Sequence, residues 1–329
     1  MTAFHARTRA SLILESAART ALHAPSVFNT QPWTWRIAGS AMELWSDPTR
    51  LLENTDSDGH LLLLSCGAAL HHARVALATA GWAAEIDRLP DPVHPTLLAR
   101  IRIGHAAPVD PEAAAMAAAI GDRRTDRRAF GVREVPEAVI DGLRRLVEAE
   151  GAYLHLVRPD QVAMLAISTE LAEAAEADDP EYRGELERWT NRDPGAGDGV
   201  PPATAVAPGL RRVPVRDFTP NGTAGLDVGG GRDQGAAYVV LFGLGTTRID
   251  LLRGGEALSA LLLRATAHGL CTAPLSDAVE VSWPRHLLRG ILADIGDPYV
   301  VVRLGYRAGD DPLPPVPRRP AEQVIEFAR

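Results

Sequence analysis

Residues 24–33, Ala-Pro-Ser-Val-Phe-Asn-Thr-Gln-Pro-Trp, place the tightest local constraint on this chain. Pro25 and Pro32 bound the stretch. Each lacks an amide proton and pushes the residue before it out of the α region, so no helix can run through. Upstream, Leu12, Ile13, Ala17, Thr20 and Ala21 recur at helical spacing, and downstream Trp33-Thr34-Trp35-Arg36-Ile37 alternates as a strand does. The chain must therefore pass from helix to strand within ten residues. Between the prolines Ser26, Asn29, Thr30 and Gln31 offer hydrogen-bond donors and acceptors. That is more polarity than a turn needs, and a capped loop and a ligand-binding turn satisfy the spacing equally well.

The remaining pattern reads as alternating helices and strands. The spacing predicts a helix over 10–22 and a hairpin of strands 33–37 and 42–45. It predicts a buried helix over 61–81 ending at Gly81 and a strand over 99–103. Helices follow at 136–149 and 160–177, then a strand at 237–242, a helix at 255–268, a helix at 284–293 and a strand at 299–304. Residues 190–235 differ: ten Gly and six Pro fall there, the composition of a lid, a binding loop or a disordered segment. A faint repeat runs beneath this order. Gly67-x-x-Leu70 reaches Gly81-Trp82, and Gly255-x-x-Leu258 reaches Gly269-Leu270 after the same interval. Two related halves packed face to face would produce it.

Composition narrows the function classes. Of the 329 residues 46% are hydrophobic and 23% charged, so one large domain or two ordinary ones can bury an ample core. The formal net charge is −8, which argues against broad nucleic-acid or membrane-surface binding. All 34 basic residues are Arg. No segment is read as long enough to span a bilayer, and Met1 to Arg9 lacks a signal-peptide apolar region, so a soluble cytoplasmic protein is expected. Cys66 and Cys271 sit in apolar surroundings and read as small buried thiols, without the companions a zinc site needs.

Arg123, Arg124, Arg127 and Arg128 around Thr125 form the strongest electrostatic feature, expected just before a helix. Guanidinium forks suit phosphate oxygens, although Asp122 and Asp126 could neutralise the run on a solvated face. Gly243-Leu-Gly245-Thr-Thr-Arg248 lacks the third glycine of a dinucleotide fingerprint. Gly229-Gly230-Gly231 reads as a hinge or flexible loop, and His71-His72 on a helix point apart by roughly a hundred degrees. No nucleophile elbow, HExxH, Walker loop or EF-hand occurs.

Taken together, these motifs resemble the FMN-dependent nitroreductase family, in its actinobacterial Acg-type branch. Arg123-Arg124-Thr125-Asp126-Arg127 matches the family's Arg-Arg-Ser-x-Arg start with Thr for Ser. Residues 24–33 match its Ala-Pro-Ser-x-x-Asn-x-Gln-Pro-Trp stretch without departure. Gly269 to Asp277 and Arg318-Arg319-Pro320 are looser matches to its late loop and closing Arg-x-Pro. The resemblance implies an α+β fold with mostly antiparallel central sheets wrapped by helices, duplicated within one chain as a pseudo-dimer. Its halves would be 1–120 and 121–329, with 190–235 as a lid or flexible loop. It further implies one FMN per chain. Arg123, Thr125, Arg127 and Arg318 or Arg319 would bind its phosphate. Pro25, Ser26, Asn29 and Gln31 would reach the ribityl chain and ring edge, and the backbone of Pro274, Leu275, Ser276 and Asp277 would lie beside the flavin. Trp189, Phe218 and Arg216 would be lid contacts. The implied activity is NAD(P)H-dependent reduction of a small nitro, quinone or similar acceptor, the alternative being a protein that sequesters its flavin. A monomer or a homodimer is compatible with that reading.

Overall fold

Two 20-residue helices cross at the centre of the protein, and the crossing dictates two of its residues. Gly67 is the eighth residue of α2 (His60–Thr79), and Gly255 the eighth of α7 (Arg248–Ala267). A Cβ on Gly67 would collide with the Leu252 carbonyl oxygen and stand 2.8 Å from the Gly255 Cα; one on Gly255 would collide with the Leu64 carbonyl oxygen. Only hydrogen fits at either position, so the two backbones touch. Every α2 residue from Leu61 to Ala73 is buried. By length and composition α2 is apolar enough to cross a bilayer, contrary to the reading above, but it is the core helix of this fold, with 83% of its most apolar window buried.

The computed structural model describes residues 8–190, 192–219 and 222–328. The N-terminal residues 1–7, which carry most of the expected polar start, lie outside it, as do residues 191, 220 and 221 of the Gly/Pro-rich region. The first part of the chain runs α1 (Arg9–Ala21), β1 (Trp33–Ala38), β2 (Ala41–Ser46), α2, β3 (Trp82–Arg88), β4 (Leu97–Ala106) and α3 (Pro111–Ile120). The second runs α4 (Glu137–Ala149), β5 (Tyr153–Leu156), α5 (Val162–Asp178), α6 (Pro180–Thr190), β6 (Ala237–Gly243), α7 and β7 (Cys271–Leu275). It closes with α8 (Asp277–Glu280), α9 (Ser282–Ile291), β8 (Asp297–Gly305), α10 (Ala321–Val324) and β9 (Ile325–Phe327).

One sheet has the order β3-β4-β2-β1-β9 and the other β5-β6-β8-β7. All pairings are antiparallel except that β9 lies parallel to β1. Helix α2 packs on β2 and β3, and α7 on β6 and β7, so the helix pair separates the sheets. The α+β class with mostly antiparallel sheets is as expected. After β8 the chain crosses back to the first sheet, where β9 pairs with β1.

Three departures from the sequence reading have local causes. Helix α7 begins at Arg248, not 255, because Thr247 and Asp250 form a reciprocal capping box and the Gly254-Gly255 pair, a helix breaker by propensity, is demanded by the crossing. Pro274 did not prevent a strand over Cys271–Leu275 because β7 is an edge strand, where no ladder partner needs its missing amide. The Arg run precedes no helix directly: Thr125 bridges in parallel to Thr272 of β7, and α4 starts only at Glu137.

The crossing makes a contrast testable by thermal denaturation. Gly67→Ala or Gly255→Ala should destabilise by about 2–3 kcal/mol through backbone overlap. Gly142→Ala, in α4 with open space around its Cα, should instead stabilise by about 0.5–1 kcal/mol.

Candidate functional site

The turn between the two prolines is strained. Phe28, Asn29 and Gln31 have φ of 46°, 55° and 49°, a left-handed conformation that side-chain-bearing residues rarely adopt. Such positions cost of order 1 kcal/mol or more each and persist only where surroundings over-determine them. Here the surroundings are explicit. Ser26 Oγ accepts from the Gln31 amide at 2.9 Å, and Ser65 Oγ of α2 accepts from the Val27 amide at 3.1 Å. Asn29 Nδ2 donates to the carbonyls of Gly199 (3.0 Å) and Pro317 (3.2 Å). Gln31 Nε2 donates to the Gly197 carbonyl at 2.8 Å, and its Oε1 accepts from the Arg319 amide at 2.9 Å. The turn thus ties three separate parts of the chain together.

Beside it lies a cleft with two ends. The apolar end, with about 650 Å³ of free space, is walled by Leu61 and Leu64 of α2, Leu258 of α7, Val300 of β8, Phe28, Phe218, Pro274 and Ser276. The cationic end, about 440 Å³, is walled by Arg123, Arg318, Asn29, Gly199 and Thr204. Pro25, Ser26, Phe28, Thr125 and Arg127 line both, so the two ends form one trough.

The charge balance at the cationic end decides what the trough can hold. Asp126 pairs with Arg128 at 2.9 Å and so does not neutralise the others. Arg124 turns back to the carbonyls of Gly121 and Arg123 at 2.8 Å. Arg123 is buried, 4% exposed, and its Nε and Nη1 have no partner among the described residues. Half-buried Arg318 donates to the Asn29 side chain and to the carbonyls of Val316, Pro317 and His23, but its Nε has none. Arg127 donates to the Thr204 carbonyl at 3.2 Å and stacks on Phe218, 4.3 Å from the ring centroid. Burial first, then repulsion from Arg318 and Arg124, pulls Arg123 down to about 9; burial and Arg216 pull Arg127 down to about 10, and burial and Arg124 pull Arg318 down to about 10. All three still carry charge at neutral pH. A buried cation without a counter-ion is costly, and an anion bound between the three groups would remove that cost.

Not all the expected site residues meet here. Pro25, Ser26, Asn29, Arg123, Thr125, Arg127, Pro274, Ser276 and Arg318 line the trough. Gln31 and Arg319 stand behind it: Arg319 donates to the carbonyls of Gln31 (3.0 Å) and Trp33 (3.4 Å) and braces the turn. Leu275 points into the core, and buried Asp277 begins α8 beneath the apolar end. Of the expected lid contacts, Phe218 lines the trough and meets Phe28 edge-on at 5.8 Å. Arg216 stacks on Phe28 at 5.1 Å, and Trp189 stacks on Arg50 and Arg192 outside the trough.

The described part of 190–235 is fixed by charge. Asp198 pairs with Arg50 and, at 2.7 Å, with Arg192. Buried Asp233 pairs with fully buried Arg303 at 2.7 Å. Gly229 and Gly231 pack against the backbone of Ala129 and Phe130. Arg303 was missed by sequence reasoning, yet it holds the Arg run in place by donating to the carbonyls of Asp126 and Arg128 at 2.9 Å. Its signal was present: an Arg inside the otherwise apolar run Tyr299–Leu304. His71 and His72, expected to diverge, both bring Nδ1 to Ser259 Oγ, at 2.8 and 2.9 Å. Gly245 sits where a dinucleotide fingerprint would bind, but its carbonyl accepts from Tyr299 Oη and the helix end beside it is already capped. Both cysteines are buried, as expected.

No family model matches the chain. It is similar to the putative NAD(P)H nitroreductase Rv3131 of Mycobacterium tuberculosis, 39% identical over 315 residues, which span 93% of this chain and 89% of that one. It is also similar to the putative NAD(P)H nitroreductase acg of the same organism, 35% identical over 95% of each chain. Among solved structures, the FMN-dependent nitroreductase NfnB of Mycobacterium smegmatis, in complex with NADPH, aligns with a TM-score of 0.43 at 20% identity, over 66% of this chain and 99% of that one.

If the cationic end is short of a counter-ion, Arg123→Met should stabilise the ligand-free chain by about 1–4 kcal/mol. Inorganic phosphate should raise the melting temperature of the wild type and leave that of Arg123→Met unmoved.

Proposed function

The chain belongs to the nitroreductase family, in its Acg-type branch, and on that premise we propose that it is an FMN-binding flavoprotein that takes reducing equivalents from NAD(P)H. The observation that carries the reading is the trough itself: an apolar slot joined to a pole of three Arg side chains without an acidic partner among the described residues. A flat ring system with an anionic tail is the ligand shape this combination suits. FMN when bound supplies two-electron chemistry, accepting hydride from NAD(P)H and reducing a small nitro, quinone or similar acceptor.

The chain's own residues would bind and orient. Arg123, Arg127 and Arg318, with the Thr125 hydroxyl, would hold the phosphate through charge-assisted bonds. Ser26, its oxygen already accepting from Gln31, retains a proton to donate to the ribityl chain. Pro25 and the strained turn would shape the passage between the two ends. The strand end Pro274–Ser276 would lie beside the ring, and Leu258, Phe28 and Phe218 would keep water from it. Gln31, Arg319, Leu275 and Asp277 would act behind these groups, fixing the turn and the strand end.

One FMN per chain is the stoichiometry we infer, from a duplicated fold with halves 1–120 and 121–329. Gly67 and Gly255 occupy equivalent positions in helices of equal length. Helices α1 and α4 are also of equal length, 13 residues, but residues 22–32 follow the first and only residues 150–152 the second. The shorter connection omits any counterpart of the Ala-Pro-Ser turn. In its neighbourhood fully buried Glu256 is paired with Arg88 at 2.6 Å and with Arg74 at 2.5 Å.

The second reading, flavin sequestration, draws support from one feature: residues 197–204 are pinned across the cationic end by Asn29, Gln31 and the Asp198 ion pairs. Purified protein should be yellow with one FMN per chain, and Arg123→Ala should lower FMN content at least about tenfold; full occupancy of that variant would refute the phosphate assignment. Anaerobic mixing with NADPH or NADH should bleach the flavin absorbance. If the wild type resists both reductants while Asp198→Ala bleaches, the pinned segment limits access and sequestration is the better description.

A further inference from the structure

The trough is separated from a second, polar cleft by a buried knot of carboxyl groups. That second cleft has about 940 Å³ of free space and shares Leu61 and Leu64 with the trough as a common wall. Asp56, Thr55 and Glu280 line it, whereas Ser276, immediately before α8, lines the trough. Between them Arg216 donates through Nη2 to Glu176 Oε1 at 2.9 Å and Glu280 Oε2 at 2.6 Å, and through Nη1 to Glu280 Oε1 at 3.2 Å. Asp277 lies one helical turn before Glu280, on the Ser276 side.

The charges do not balance. Facing one another are Glu176 from α5, Asp277 and Glu280 from α8, Asp56 before α2, the Tyr182 hydroxyl from α6, and Arg216 from the covering segment, itself repelled by Arg127. Asp56 is solvated by the amides of Leu61 and Leu62 at 2.9 and 2.7 Å. Arg216 is ion-paired with Glu176 and Glu280 and acts on Asp277 only through its field, and all three carboxyl side chains are almost wholly buried; Arg285, Arg289 and His60 line the polar cleft beside Glu280. Three further buried polar atoms at this place have no partner among the described residues: Tyr182 Oη, Thr55 Oγ1 and Arg216 Nε. Buried groups of this kind are ordinarily satisfied by enclosed water. Carboxyls in excess of the cation they bond, set among such positions, with Glu280 lining the polar cleft and Asp277 following Ser276 of the trough, are the components of a proton path.

We propose that Glu176, Glu280 and Asp277 hold a shared proton and deliver it from the polar cleft to the Ser276 end of the trough during acceptor reduction. The inference rests on the flavoprotein reading above. NAD(P)H supplies hydride, two electrons with one proton. A quinone reduced to its hydroquinone needs that hydride equivalent and one further proton. A carboxyl O–H of the knot gives up that proton, directly or through an enclosed water, leaving a carboxylate paired with Arg216. Solvent water in the polar cleft, reaching Glu280, then restores it. Burial first, then repulsion by Glu280 and Asp277 against the pull of Arg216, raises Glu176 to about 8, so that it is protonated at neutral pH. Burial first, opposed by Arg216 and joined by repulsion from Glu280, raises Asp277 to about 6.

Two measurements on the full chain test this. A group held protonated in the fold and ionised at about 4.5 when unfolded binds more protons in the native state between those values, so its stability contribution declines as pH rises from about 4.5 to about 8. The isosteric Glu176→Gln should therefore gain melting temperature relative to wild type as pH is raised through that window; a pH-independent difference would overturn the shared proton. In the FMN-loaded protein, Glu176→Gln should leave reduction by NADPH unchanged but slow anaerobic reoxidation by benzoquinone about tenfold or more, with an altered solvent isotope effect. Reoxidation at the wild-type rate in Glu176→Gln would overturn the delivery step. A chain that takes up no FMN would overturn the flavoprotein reading and the delivery step with it, while the melting difference, which needs no flavin, still decides whether the proton is held.

Discussion

The contact on which the structure depends is the crossing of α2 and α7 at Gly67 and Gly255. Helix axes approach this closely only where side chains are absent, and the approach brings the two sheets to a fixed separation on either side of the pair. Everything in the trough inherits its position from that contact. Leu61, Leu64 and Ser65 hang from one helix and Leu258 from the other. The Arg run is then hung on the second sheet through Thr125, Thr272 and Arg303, and the strained turn on the first sheet through Trp33. The trough draws its walls from the first and the second part of the chain alike.

Strain and charge occupy opposite walls of that space. Three left-handed residues in the turn and three under-compensated Arg side chains are each unfavourable in isolation. The fold tolerates them because Asn29 and Arg318 hydrogen-bond to each other and to the same Pro317 carbonyl, at 3.3, 3.2 and 2.9 Å, which couples the two walls. The covering segment adds a third partner through Gly197 and Gly199. Local instability concentrated at one place, and fastened from several directions, is the pattern expected where a ligand completes the arrangement.

Much of this was legible in the residues, and the limits of legibility are physical. The long elements came through because α2, α4, α5 and β6 carry their burial in their own periodicity or apolar length. The short strands β5, β7 and β9 did not, since three to five residues carry too little pattern and their pairing is non-local. Nor could periodicity foresee that Gly254-Gly255 lies inside a helix, because the reason is a backbone 188 residues away at Gly67. Among site residues, the motifs marked the right segments but not which side chains face inward. Arg318 and Arg319 are neighbours of identical chemistry, and only packing assigns the first to the trough and the second to the turn.

By itself the sequence determined where helices must stop, that the chain carries an Ala-Pro-Ser-x-x-Asn-x-Gln-Pro-Trp turn and an Arg-Arg-Thr-x-Arg run, and hence the family to which it belongs. These are local facts, set by φ restrictions, side-chain chemistry and inheritance. Tertiary structure alone decided that Asp126 pairs with Arg128, leaving Arg123, Arg127 and Arg318 without an acid among the described residues. It alone decided that Glu176, Asp277 and Glu280, from two helices a hundred residues apart, surround one Arg216. Charge balance depends on distance in space, and distance between remote residues is a property of the packed fold rather than of any segment.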